Sequence, residues 1–404
     1  MAAWHATLDD ELSIMNKTLT IIASLCFTLA TGCGLAHATT PIKIGFMSEL
    51  SGPQAALGQD KLDALMLYVE QHNGQLGGKP VQIIKRDSQL KPEVANQIAD
   101  ELIQKEKVAV VTGFSFTNIM MAVAHKFAEA NIPVLSASAG PAPIAGEQCN
   151  EHIFVLSKQN DQFAEAMGVY AKEQDFKRVI TFAPNYQAGK DFVQGFKRRY
   201  EAELLDEIYT PLGQLDFSTE ISRIMAMQPD AVYVFYPGGL GISFVRAYKQ
   251  AGLLDRIPLL SVSTVDGTTL PALQHNAVGA FSASDWGPDL DNPSNHEFVD
   301  AFATKYNRIP SEYAAQSYDV AKLLDAAFAK VSDTTDTAAL TQAIKNAEFE
   351  SVRGQFAFGH NNFPIQDFYV FEVAPNDQGQ VSLKTVTRTL KNATDSYADA
   401  CLMN

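Results

Sequence analysis

The stretch 108–141, VAVVTGFSFTNIMMAVAHKFAEANIPVLSASAGP, is what most confines this chain, because it spells one strand–helix–strand unit. Val108-Ala109-Val110-Val111 is a short apolar run of the kind a parallel sheet buries on both faces, and Thr112-Gly113 ends it. Thr117 and Asn118 are good N-cap types at the head of an apolar-rich helix. Asn131-Ile132-Pro133 breaks that helix, and Val134-Leu135 starts a second strand that runs into Ser136, Ser138, Gly140 and Pro141. In an open α/β sheet, ligands bind beyond the carboxyl ends of the strands. A helix N-terminus there favours an anion, through unpaired N–H groups and the helix dipole. The stretch therefore predicts a pocket for a small carboxylate; ordinary capping of βα loops is the alternative use of the same residues.

The same rhythm runs on both sides. Strands are expected at 41–47 and 81–86, with helices at about 60–72 and 92–105 and a loop over 48–59. After Cys149 the pattern restarts, with strands at 153–156, 178–182, 207–209, 231–236, 258–262 and 280–284. Helices are expected up to about 174 and over 190–204, 295–306 and 314–330. The aromatic, β-like run 354–371 supplies core strands and a hinge. Repeated β-loop-α units in 404 residues predict two α/β domains, each a doubly wound parallel sheet.

Acidic residues (46) outnumber Lys and Arg (31), for a net charge of −15, which argues against a nucleic-acid partner. A small anion is still acceptable where dipoles and hydroxyls hold it. Residues 1–38 have the pattern of a secretory signal: a short polar start at Asn16-Lys17, an apolar run from Leu19 to Leu29, and Ala36-His37-Ala38 for cleavage. Asp9, Asp10 and Glu11 suit such a segment poorly, so Met15 is the better start. Cleavage near Ala38 gives a periplasmic mature chain, not membrane-inserted; a lipid anchor at Cys33 is the second option. Cys149 and Cys401 then remain as an even pair in an oxidising compartment, and a disulfide between them is expected.

At this point the chain resembles a known group. Leu50-Ser51-Gly52-Pro53, Leu57-Gly58, Asn73-Gly74, Leu76-Gly77-Gly78-Lys79 and Asp87 look like the start of the branched-chain amino-acid-type (type I) periplasmic solute-binding proteins of ABC importers. Ser157–Asp161, Pro229–Val232, Gly252-Leu253 and Tyr313–Asp319 continue the likeness. Phe116-Thr117-Asn118, Ala139-Gly140-Pro141 followed by Cys149, Asn185–Lys190 and the Tyr397…Cys401 end resemble the aromatic-carboxylate branch. The amino-acid binders usually carry a Tyr where this chain has Ala188, a loss that suits a bulkier, flatter ligand.

The resemblance implies two lobes joined by a three-segment hinge. Residues 39–157 and 287–363 would form the first lobe, 158–286 and 364–404 the second. It implies a monomer that captures a small carboxylate in the cleft and delivers it to a membrane permease, with no metal or cofactor. By position, the carboxylate would meet Thr117 and the Ser138/Ala139 backbone, with Asn118 beside them. Phe116 is either a pocket wall or core. Trp286 would stack on the ring. Ser51 borders the first-lobe side, and Tyr186, Ala188 and Gly238 face the cleft from the second. Asp266 would meet an ammonium group in an amino-acid binder and a hydroxyl or water otherwise. A branched-chain amino acid or amide is the alternative ligand. A receptor module is a different class, and a hydrolase a weaker one: the sequence has no G-x-S-x-G, no H-E-x-x-H, and its His275, His296 and His360 are far apart.

Overall fold

The computed structural model describes residues 40–376 and 379–403; the expected leader at 1–38, with Met15, Cys26 and Cys33, lies outside the described residues. Two sheets organise the rest. The first has six strands in the order β2-β3-β1-β4-β5-β6. They are β1 (Ile42–Ser48), β2 (Gln75–Leu76), β3 (Lys79–Asp87), β4 (Val110–Gly113), β5 (Val134–Ser136) and β6 (Ile153–Val155). All of its pairings are parallel except the short β2–β3 turn pair. The strand expected at 108–111 is found two residues on as β4, which takes in Thr112 and Gly113 and is buried throughout, with Val110 opposite Ile44 and Val111 opposite Val134.

The second sheet holds β7 (Val179–Pro184), β8 (Asp206–Thr210), β9 (Ala231–Val234), β10 (Leu259–Val262) and β11 (Phe281–Ser284), all parallel to their neighbours. An antiparallel edge follows: β12 (Ala357–Phe358) and β14 (Val381–Ala393) both pair with β13 (Pro364–Pro375), which lies against β11. The strand at 381–393 lies outside the sequence expectation: only two of its residues are buried and its apolar residues are thin.

Helices cover both sheets. Pro293–Tyr306 and Glu312–Lys330 follow β11, yet their Phe298, Phe302, Leu323 and Leu324 pack with Ile44 and Phe46 of the first sheet. The chain therefore returns to the first sheet before β13 takes it back to the second. Two helix starts differ from the sequence expectation. The first helix begins at Ala55, not near 60, and contains Gly58. A Cβ on Gly58 would come within 2.0 Å of the Glu49 carbonyl, so this glycine allows a close approach and is not a loop signal. The helix expected at 190–204 spans Gln187–Tyr200, ended by Glu201 in the left-handed region, which puts Ala188 in its first turn.

The three passages between sheets meet at Arg353, whose side chain is fully buried. Its Nη1 donates to the Ser157 carbonyl after β6, to Asp285 after β11 and to Gln366 of β13 at 2.8–3.1 Å, and its Nε donates to Asp319 at 2.8 Å. Cys149 and Cys401 form the expected disulfide, with their Cα atoms 5.6 Å apart.

Candidate functional site

A small cavity opens where the carboxyl ends of the two parallel sheets face each other. The helix Thr117–Glu129 brings its first turn to it. The N-cap is Phe116, one residue earlier than expected, and a phenyl ring cannot cap. Among the described residues, the Thr117 and Asn118 N–H groups consequently have no acceptor, and neither does the Ser138 N–H after β5. The Thr117 hydroxyl accepts from Asn160 Nδ2 at 3.1 Å, which leaves its own proton free to donate. Asn160 gives its other amide proton to Asp191 at 2.8 Å, joining the two halves beside the cavity.

The rest of the polar lining is Ser115, Ser138, Lys158, Asn160 and Ser263. Ser115 is committed: it donates to Glu49 and accepts from the buried Lys61 ammonium. Burial lowers the Lys61 pKa to about 8, and Glu49 opposes that fall. Ser263 donates to Glu312 Oε1 at 3.2 Å. Burial, with Asp266 adding to it, raises the Glu312 carboxyl to about 8.

Aromatic rings make the walls. Phe116, Tyr186, Phe192, Phe235 and Tyr313 all line the cavity, and Ala188 leaves room between them. Phe192 and Phe235 stack at 4.1 Å, and Tyr186 lies nearly parallel to Phe235 at 6.2 Å. The seam beside the cavity is closed by Gly239 N–H donating to Gln54 Oε1 at 2.9 Å. Gly238, at φ +58°, permits that contact, because a Cβ there would meet Gln54 Oε1 at 2.3 Å.

Of the residues predicted from sequence, Phe116, Thr117, Ser138, Ala139, Tyr186 and Ala188 line this one cavity. The Ala139 N–H is not a free donor, since it is already bonded to the Phe114 carbonyl at 2.9 Å. Asn118 sits in the same helix turn without lining the cavity, and Gly238 is on the seam. Ser51 is exposed and hydrogen-bonds Asp87. Asp266 is buried away from the lining, where one carboxylate oxygen accepts from Thr268 N, Thr268 Oγ1 and Thr269 N. Trp286 does not stack over the cavity. Its ring is in the first sheet's core, 6.1 Å from Phe298, with Nε1–H donating to Asn295 at 2.6 Å. Lys158, Phe192, Phe235 and Tyr313 were not singled out for the site. Lys158 was visible only as part of a polar run after a strand, and the three rings carry the apolar signature of core.

Among the described residues, no helix is long and apolar enough to cross a membrane, and no group of three or more His, Cys, Asp or Glu is placed to hold a metal ion.

A sequence model of the periplasmic binding protein family matches residues 41–380. A Leu/Ile/Val-binding protein homolog 6 from Brucella melitensis is 28% identical over 374 residues, which is 90% of this chain and 94% of that one. An ABC-transporter solute-binding protein from R. palustris, solved in complex with benzoate, is 29% identical with a TM-score of 0.85 over 90% of this chain and all of that one. A second from R. palustris, solved with 4-hydroxybenzoate, is 26% identical with a TM-score of 0.82 over 88% of this chain and 98% of that one.

Proposed function

This chain belongs to the periplasmic binding protein family, and on that premise we propose that it captures an aromatic carboxylate between two lobes for an ABC importer's membrane permease. The observation that carries the ligand class is a single cavity with free hydroxyl and N–H donors at Thr117 and Ser138 and rings on its other walls. Hydrogen bonds from such donors to an anion are about twice as strong as neutral ones. The benzoate and 4-hydroxybenzoate carried by the two R. palustris relatives support the same class.

An α-amino acid, suggested by the names of the curated relatives, fits less well. Its ammonium would face Lys158 in the lining, and Asp266 lies outside that lining.

We assign residues 39–157 and 287–363 to the first lobe and 158–286 and 364–404 to the second, hinged at the crossings around Arg353. A ligand touching both lobes favours the closed form by its differential affinity for it. Export with removal of a leader near Ala38 belongs to the same proposal. The test is a thermal-shift and calorimetry panel on residues 39–404 with benzoate, 4-hydroxybenzoate, leucine, isoleucine and valine. Aromatic acids should raise the melting temperature and bind in a one-to-one ratio; stabilisation by the aliphatic amino acids alone would overturn the ligand class.

A further inference from the structure

Lys158 lines the cavity and is only 3% exposed. Its Nζ donates to the Ser138 carbonyl at 3.1 Å and lies 3.5 Å from Ser138 Oγ, with the Phe163 ring centroid at 4.6 Å. An ammonium carries three protons. The carbonyl takes one, the hydroxyl makes a long contact with a second, and the third has no acceptor among the described residues. No carboxylate among the described residues lies within 4.0 Å of this nitrogen. A buried charge without a counter-charge is costly, and native structures pair it. Burial accordingly pulls the Lys158 pKa below its ordinary value, while Glu312 and Asp285 act on it only from a distance.

The position of this cation is informative. It contacts the same Ser138 whose N–H is unpaired, beside the Thr117 hydroxyl with its free proton. Ser138 Oγ faces the ammonium as an acceptor, so its own proton is free for a ligand. We infer that the Lys158 ammonium is the charge partner of the bound carboxylate, an ion pair left incomplete until the anion enters. This rests on the carboxylate reading above. It makes Lys158 the residue that selects anions over neutral isosteres and over zwitterions whose ammonium would share the site. In a water-poor cavity the attraction is far stronger than in bulk solvent.

The experiment pairs each acid with its own carboxamide: benzoate with benzamide, 4-hydroxybenzoate with 4-hydroxybenzamide, and leucine with leucinamide. Calorimetry on the wild-type protein should give an acid preference of about 100-fold for the acid that binds best. Lys158→Met should lose about 10- to 100-fold for that acid and under about 3-fold for its amide, while Lys158→Arg keeps most of the preference. Equal weakening of acid and amide would reduce Lys158 to a support for Ser138 and overturn the inference, as would unchanged acid affinity. If Lys158→Met does not fold, the wild-type ratio decides: an amide bound as tightly as its acid overturns the ion pair. A wild-type protein that binds none of the acids refutes the carboxylate reading itself.

Discussion

Arg353→Met should cost about 3–5 kcal/mol of stability, the magnitude for removing one member of a buried charge cluster. The structure explains why the loss should not be larger. Without the guanidinium, Asp285 still accepts from Gln316 Nε2 at 3.1 and 3.2 Å and from Gln366 Nε2 at 3.3 Å. Asp319 still accepts from Ser351 Oγ at 2.6 Å and Val352 N at 3.0 Å. Each carboxylate thus keeps hydrogen bonds but loses the cation that balances it, at side-chain exposures of zero. Arg353→Lys keeps the charge and loses the fork that reaches several partners at once, so it should fall between the two. Adding Asp285→Asn and Asp319→Asn to Arg353→Met removes the stranded charges and should recover much of the loss. Urea unfolding followed by circular dichroism measures these variants beside the wild type and the Asp285→Asn/Asp319→Asn protein, and that cycle isolates the coupling. A loss under about 1 kcal/mol for Arg353→Met, or a triple variant no more stable than the single one, would refute the claim that this cluster holds the three crossings together.

Two further outcomes can be checked with the same protein. Thr117→Val removes the hydroxyl at similar size and should weaken binding of the aromatic acid by about 1.5–3 kcal/mol, whereas Thr117→Ser should stay near wild type; unchanged calorimetric affinity for the valine variant would take Thr117 out of the site. Glu312 gives a pH dependence. Its carboxyl keeps its proton in the fold up to about pH 8, while the unfolded chain releases it near 4.5, so the native state binds the extra proton across that window and stability falls as pH rises through it. The melting temperature should therefore drop between pH 5 and 8 more steeply in the wild type than in Glu312→Gln, and equal slopes would show that Glu312 ionises normally.

The parallel-sheet core was legible because its signals are local. Val110-Val111 and Val134-Leu135 are short apolar runs with Gly and Pro at their ends, and nothing in tertiary context overrides them. The cavity lining was legible at the same places, since residues that end parallel strands and open helices converge on the sheet's carboxyl edge: Thr117, Ser138 and Ala188 arrive together for that reason. Phe192 and Phe235 follow a different logic. Each belongs to the second sheet's apolar core in pattern and packing, and becomes a wall only because the other half stops short of filling the space above it. No local period encodes that gap.

Trp286 shows the converse. It follows a strand end, as the Thr117 and Ser138 loops do, but β11 is where the chain crosses back to the first sheet, so its ring leaves with the crossing. Asn295, three residues past the Asn292 cap of the next helix, accepts from the indole N–H and fixes it in the first sheet's core. Position after a strand therefore does not by itself select cavity residues where the chain leaves its own sheet. Lys158 lies at another crossing and nevertheless faces the cavity, because Ser138, its nearest hydrogen-bonding partner, comes from the neighbouring strand end and holds the ammonium there. At the crossings, the partner that captures the side chain decides whether it faces the core or the cavity.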